Sequence, residues 1–145
     1  MREENGILII DDDVDYCCLM QLALQEAEVT NPTEAVHDGW AAIHHLEQLA
    51  PGRLAGILPG LILLDLRMPG LSGLEVLHWI RNQYFLKAAP VVVFTGMEDG
   101  KELAQVVAAG ASSVHAKPFS YKELVLEARQ LKEAYLESHV LRHAA

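Results

Sequence analysis

Short apolar runs are the feature that most restricts what this chain can fold into. A strand with water on one face alternates apolar and polar residues, whereas a strand covered on both faces is apolar throughout. The runs here are continuous and rich in Val, Ile and Leu at 7–10, 61–64 and 91–94, and weaker at 113–116 and 34–37. They predict five strands of a parallel sheet that is buried on both faces.

Segments of helical periodicity alternate with these runs and occupy 14–28, 39–49, 72–83, 98–109 and 120–141. Ser72 with Glu75, and Ser120 with Glu123, have the spacing of capping boxes, and Gly110 is typical of a helix end. Five strand–helix repeats imply right-handed crossovers and an α/β, doubly wound parallel sheet with helices on both faces. We expect one domain over 1–145, with a core of about 6–130 and an extended last helix.

Charge and composition exclude several classes of function. The 145 residues carry a net charge of −9, which argues against contacts with nucleic acid or with an anionic membrane surface. No apolar run approaches the ~20 residues that cross a bilayer. The two cysteines are adjacent, so they predict no disulfide framework and a reducing, cytoplasmic setting.

Polar side chains stand immediately after the strands. The first run is followed by an aspartate triplet at 11–13, the third by Asp65, the fourth by Thr95 and the fifth by Lys117. In open parallel sheets, ligands bind at the carboxyl ends of the strands, where the strand order reverses. If the order is 2-1-3-4-5, the first and third strands are neighbours, and Asp11 and Asp12 face Asp65.

Carboxylates this close need compensation. At ~4 Å and an effective dielectric of ~20, each ionised pair repels by about 4 kcal/mol. Lys117 supplies one positive charge, and the donors at these strand ends are oxygens, so Mg²⁺ or Mn²⁺ is the expected cofactor. An aspartate beside a divalent metal, a hydroxyl and an ammonium can accept a phosphoryl group as an acyl phosphate.

Four segments resemble the receiver domain of bacterial two-component response regulators: ILIIDDD at 7–13, LILLDLRMPGLSG at 61–73, VVVFTG at 91–96 and AKPF at 116–119. The resemblance spans nearly the whole chain and implies a flavodoxin-like fold. It also implies a signalling protein with no enzymatic activity beyond assisting its own phosphorylation and dephosphorylation. Because the receiver occupies the chain, we expect a stand-alone regulator that signals through protein contacts.

The resemblance also implies a role for each residue of the site. Asp65 would be the phosphoacceptor, receiving its phosphoryl group from a sensor histidine kinase or a phosphotransfer protein. Thr95 and Lys117 would contact the phosphoryl oxygens. The implied magnesium ligands are Asp11, Asp12, Asp65 and the backbone carbonyl of Arg67.

Other features point to a subgroup and to departures from the family. Asn31-Pro32, the loop at 50–60 and the long last helix are similar to stand-alone regulators that partner phytochrome-type, light-sensing histidine kinases. The family usually has an aromatic residue three positions before the lysine, where this chain has Val114. Arg67 is bulkier and more cationic than its counterpart in many relatives, so we expect it to alter the lifetime of the acyl phosphate.

Two alternatives remain open on sequence grounds. One is a phosphohydrolase similar to the haloacid dehalogenase superfamily, with Asp11 as nucleophile and Asp13 as general acid. Another is an interaction module that is never phosphorylated. Independently, apolar residues late in the last helix, on a face different from the one covering the sheet, predict a homodimer through that helix; they are Leu136, Val140 and Leu141.

Overall fold

The computed structural model describes residues 5–52, 58–96 and 100–137. The strands are β1 (Gly6–Ile10), β2 (Thr33–Val36), β3 (Pro59–Asp65), β4 (Val91–Thr95) and β5 (Ser113–Ala116). The α-helices are α1 (Val14–Glu26), α2 (Gly39–Glu47), α3 (Gly73–Arg81), α4 (Gly100–Ala108) and α5 (Tyr121–Leu131). A 3₁₀ turn covers Tyr84–Leu86, and a π-helical turn covers Lys132–Glu137.

The strands form one parallel sheet in the order β2-β1-β3-β4-β5, which confirms the predicted fold class and strand order. Its register brings the carboxyl ends of the central strands level with one another. Ile10 pairs with Leu64, and Asp65 pairs with Phe94. Thr95 pairs with Ala116, the residue before Lys117. The polar residues that follow these strands therefore converge on one edge of the sheet.

The core has two halves, one on each face of the sheet. Because successive side chains of a strand point to opposite faces, Ile7 and Ile9 enter one half while Leu8 and Ile10 enter the other. Helices α1 and α5 cover the first half, and α2 and α3 cover the second together with Val106 of α4. Burial on both faces explains why the strands are apolar throughout.

The helix starts follow the predicted chemistry with one difference. At α3, the Ser72 hydroxyl accepts from the Glu75 N–H and the Glu75 carboxylate accepts from the Ser72 N–H, which is a complete capping box. At α5, Ser120 likewise accepts from the Glu123 N–H. The Glu123 carboxylate, however, accepts from the N–H of Phe119 and the hydroxyl of Ser120. The reciprocal backbone bond is thus displaced by one residue.

The last helix departs from its predicted form. Its α-helical part ends at Leu131, and the six residues 132–137 form the π turn. A π turn holds more residues than an α turn, which changes the face on which later side chains emerge. Leu136 accordingly packs beside Tyr135 against the first half of the core, so the prediction that it lies on a different face is wrong. Val140 and Leu141 lie outside the described residues.

Candidate functional site

Three carboxylates meet at the carboxyl edge of the sheet. Asp11 follows β1 and is 2% exposed, and Asp65 ends β3 and is 8% exposed, whereas Asp12 lies at the surface. One carboxylate oxygen from each residue lies within 4.8 Å of the others. The predicted convergence of Asp11, Asp12 and Asp65 is confirmed as geometry.

Lys117 enters the same site from the end of β5. Its backbone N–H donates to the carbonyl oxygen of Thr95 at 3.0 Å, which fixes the lysine beside β4. Its Nζ lies 2.8 Å from Oδ2 of Asp11 and 3.8 Å from Oδ2 of Asp65. Thr95 is the last residue of β4 and is buried. All five predicted side chains therefore belong to neighbouring strand ends.

Negative charge exceeds positive charge in the site, because one ammonium faces several carboxylates. Burial, and then the charges of Asp11 and Asp12, raise the pKa of Asp65 to about 7, against the opposing effects of Lys117 and of a backbone hydrogen bond from Arg67. Burial alone would lower the pKa of Lys117. The hydrogen bond and charge of Asp11, with the charge of Asp65, outweigh that effect and raise it.

The donor set fits a hard divalent cation. The groups that converge are carboxylate oxygens, and ionising all three leaves negative charge beyond what Lys117 balances. Magnesium and manganese prefer such oxygen ligands and usually retain several waters. The exposure of Asp12 leaves one side of the site open to solvent. These residues could therefore hold a metal ion.

The turn after β3 is shaped by a glycine. A Cβ on Gly73 would lie 2.4 Å from the carbonyl oxygen of Asp65 and 2.7 Å from Cα of Leu66, so only glycine lets α3 start this close to the strand end. The Gly73 N–H donates to the Leu66 carbonyl at 3.0 Å. This contact holds the Asp65 end of β3 against the start of α3.

Asp13 is close in sequence but serves the helix. Its Oδ1 accepts from the N–H of Tyr16 at 3.1 Å, and Asp13 is the N-cap of α1. Its own N–H donates to Oδ1 of Asp11 at 2.9 Å. These contacts engage Asp13 at the start of the first helix.

Sequence reasoning missed two residues that contact the site residues, namely Tyr16 and His37. The ring of Tyr16 lies under Lys117, with Nζ 4.3 Å from the ring centroid. Nδ1 of His37 lies 3.1 Å from the carbonyl oxygen of Asp11. A signal for Tyr16 exists, because a residue in the first turn of α1 stands beside the carboxyl end of β1.

Arg67 lies beside the Asp65 strand end, and Val114 lies within β5, three residues before Lys117. Nη2 of Arg67 pairs with Oε1 of Glu102 on α4 at 2.9 Å, across an open groove next to the Asp65 strand end. Val114 is partly buried and packs against the second half of the core. The position where the family usually has an aromatic side chain is thus filled by an aliphatic one.

The response regulator receiver domain model matches residues 7–129. The chain belongs to this family. It is 32% identical over 130 residues to the probable methanogenesis regulatory protein FilR2 of Methanothrix harundinacea, covering 90% of this chain and 83% of that protein. It is also 32% identical to the transcriptional regulatory protein ResD of Bacillus subtilis, covering 88% of this chain but only 48% of ResD.

Solved structures give a narrower likeness. The phosphorylated cyanobacterial phytochrome response regulator RcpA superposes with a TM-score of 0.83 at 27% identity, covering 93% of this chain and 96% of RcpA. The Mn²⁺-bound form of response regulator Rcp1 gives 0.79 at 28% identity, covering 92% and 95%. Within the described residues, no helix combines the length and apolar character that crossing a membrane requires.

Proposed function

We propose that this protein is a phosphoacceptor of two-component signalling, and that Asp65 receives the phosphoryl group. The observation that carries the proposal is that the Asp65 carboxylate lies beside the acids after β1 and 3.8 Å from Nζ of Lys117, which also contacts Asp11. The donor would be a phosphohistidine on a sensor histidine kinase or on a phosphotransfer protein. Signalling would follow from protein contacts that favour the phosphorylated conformation.

The reaction exchanges one bond to phosphorus for another. A carboxylate oxygen of Asp65 attacks phosphorus, and the bond from phosphorus to the imidazole nitrogen breaks. That nitrogen keeps the bonding electron pair. Because the other ring nitrogen of the phosphohistidine carries a proton when the bond breaks, the imidazole leaves as a neutral histidine and an aspartyl phosphate results. The Nζ of Lys117 and the hydroxyl of Thr95 would hold phosphoryl oxygens, so that charge moving onto these oxygens is met by fixed donors.

The metal site would be formed by Asp11, Asp12, Asp65 and the backbone carbonyl of Arg67, with Mg²⁺ as the expected ion and Mn²⁺ as a substitute. When bound, the cation supplies positive charge beside the phosphoryl oxygens. The residues themselves hold the geometry: Asp11 is fixed by Lys117 and by the N–H of Asp13. The Mn²⁺-bound Rcp1 structure supports this choice of metal by similarity.

The test is incubation with a small phosphodonor such as acetyl phosphate, with and without Mg²⁺, followed by intact mass measurement. We expect one phosphoryl adduct on the wild type with Mg²⁺, and none on Asp65→Asn. Asp13→Asn is the matched control, because asparagine still caps a helix and Asp13 lies outside the proposed site. An adduct on Asp65→Asn would contradict the proposal.

The phosphohydrolase alternative is less well supported by the contacts of its proposed nucleophile. Asp11 is 2% exposed, and its two oxygens are engaged by Lys117 and by the N–H of Asp13. Asp13, the proposed general acid, caps α1. Repeated phosphate release that is lost in Asp11→Asn but kept in Asp65→Asn would favour the hydrolase. Absence of any adduct on the wild type would favour the unphosphorylated interaction module.

The partner we propose is a phytochrome-type histidine kinase, which the likeness to RcpA supports. Phosphotransfer from a purified kinase of this type, compared with a kinase that has another sensor, tests the choice. We also propose a cytoplasmic location and a homodimer through the region of the last helix. A monomeric mass by light scattering at micromolar concentration would count against the dimer.

A further inference from the structure

The orientation of the Lys117 side chain needs a contact other than those with the aspartates. Its ammonium is a point charge on a flexible stem, so neighbouring groups must fix its direction. The close contact is with Oδ2 of Asp11 at 2.8 Å. The proposed metal would draw on the same carboxylate, so an orientation that depended on Asp11 alone would weaken when metal binds.

Tyr16 supplies a contact of a different kind. It lies in the first turn of α1, packs against the first half of the core, and presents its ring to Nζ of Lys117 at 4.3 Å from the centroid. A cation over an aromatic face within ~6 Å is attracted by the ring quadrupole, more strongly where water is excluded. The ring carries no charge, so it holds the ammonium without altering the charge balance of the three carboxylates.

The hydroxyl of Tyr16, unlike the ring, makes no favourable contact. Its Oη is buried and has no hydrogen-bond partner in the described part of the chain. Burial, and then the charges of Asp11 and Glu127, raise the pKa of this phenol, so it remains neutral. A buried hydroxyl without a partner is unfavourable for the folded state. The hydroxyl therefore does not explain why a tyrosine stands at this position, whereas the contact of its ring with Lys117 does.

We propose that Tyr16 is a positioning residue for phosphoryl transfer: its ring face holds Nζ of Lys117 where the incoming phosphoryl oxygens arrive. This inference rests on the proposed function and adds a residue to it. It predicts that the aromatic ring is required and that the hydroxyl is not. The transfer is unchanged: Asp65 oxygen bonds to phosphorus and the donor leaves with the electron pair.

Two substitutions at the same position separate the ring from the hydroxyl. Tyr16→Leu keeps an apolar side chain but removes the aromatic face, and we expect phosphorylation by acetyl phosphate at saturating Mg²⁺ to slow by about five- to thirty-fold. Tyr16→Phe keeps the face and should restore the rate to near that of the wild type. It should also unfold at a higher temperature, because the unpartnered hydroxyl is gone.

A control separates this role from general destabilisation. Phe85→Leu removes a partly buried aromatic ring that packs against the second half of the core, in the 3₁₀ turn before β4. We expect it to lower the unfolding temperature while leaving the phosphorylation rate unchanged. In a Lys117→Ala background, Tyr16→Leu should still destabilise the protein but should slow phosphorylation no further, because the residue it positions is absent.

Nuclear magnetic resonance gives a readout that does not need phosphorylation. In the metal-free protein, the ε-methylene protons of Lys117 should show a ring-current shift in the wild type and in Tyr16→Phe, and lose it in Tyr16→Leu. Loss of the shift together with an unchanged phosphorylation rate would overturn the positioning role. So would a Tyr16→Phe variant as slow as Tyr16→Leu. A wild type that takes up no phosphoryl group would instead overturn the proposed function, and the positioning role with it.

Discussion

Two partly buried cations, Arg81 and Lys117, lie at opposite ends of the strands and have different partners. Arg81, at the end of α3, donates through Nε to the carbonyl of Gly110 and through Nη1 to the carbonyls of Leu86, Lys87 and Ala89. No carboxylate pairs with it among the described residues. Lys117, at the carboxyl edge, faces Asp11 and Asp65 with Asp12 close by.

The difference separates a stabilising contact from a reactive site. The hydrogen bonds of Arg81 go to neutral carbonyls that join α3 to the segments around β4 and α4, so they are satisfied as the protein folds. Gly110 makes room for the guanidinium, since a Cβ there would lie 3.0 Å from Nε of Arg81. Around Lys117 negative charge remains in excess, and a metal or a phosphoryl group changes that balance.

The largest expected effect is on the pH dependence of stability. The pKa of Asp65 in the folded state, about 7, is above its ordinary value of 3.8, so the protonated carboxyl favours folding. The metal-free protein should therefore lose stability as pH rises from about 4 to about 7, by up to ~4 kcal/mol. Asp65→Asn should remove this dependence and be more stable than the wild type at about pH 8.

Urea denaturation of both proteins across this pH range, without divalent metal, measures the difference. Subtracting the two curves removes the titration of groups that both share. If the free energies of unfolding of the wild type and Asp65→Asn change in parallel from acid to neutral pH, Asp65 is not held in an unfavourable ionised state.

Arg81→Ala should destabilise the protein by about 3 kcal/mol, because partly buried carbonyls lose a charged donor. Arg81→Lys should recover less than half of this, since an ammonium cannot reach acceptors on both sides. Urea denaturation is again the measurement, and the loss should not vary with pH between about 4 and 8. Arg129→Ala on the exposed face of α5 is the control, within about 0.5 kcal/mol of the wild type.

Magnesium should stabilise the protein through the carboxylates near Lys117 and should not depend on Arg81. At a concentration of ~100 times the dissociation constant, Mg²⁺ should stabilise the wild type by about 2.7 kcal/mol at pH values where Asp65 is ionised. Arg81→Ala should gain as much as the wild type, and Asp12→Asn should gain less. Thermal unfolding with and without Mg²⁺ gives the comparison, and an equal gain in Asp12→Asn would remove Asp12 from the metal site.

The smallest expected effect concerns Arg67. Its ion pair with Glu102 is exposed, and such pairs contribute ~0–1 kcal/mol, so Arg67→Ala should barely change stability. The pair crosses the groove beside Asp65, and its loss should speed phosphate release from the phosphorylated protein by up to about fivefold. Glu102→Gln breaks the same pair from the other side. Release rates identical to that of the wild type would contradict this role.

Much of the fold followed from the strand runs. A parallel sheet covered on both faces makes its strands apolar, and the carboxyl ends of such strands must share an edge, which is why Asp11 and Asp65 could be brought together from sequence. The roles of these residues as phosphoacceptor and metal ligands remain predictions.

The details that sequence could not give depend on side chains meeting across elements. The place of Tyr16 in the first turn of α1 indicates that it lies near the site, but no local pattern specifies that its ring meets Lys117. The π turn at 132–137 has no periodic signature of its own. β3 begins at Pro59, inside the predicted loop, and the first residue of a strand is a position where a missing N–H is tolerated.

The identity of the modified residue tests the central claim most directly. An aspartyl phosphate is an activated acyl group, so borohydride reduces it to homoserine, whereas a free carboxylate is unaffected. After treatment with phosphodonor and Mg²⁺, peptide mapping should find homoserine at position 65 and at no other aspartate. Homoserine at position 11, or at no position in a protein that had gained a phosphoryl group, would contradict the account.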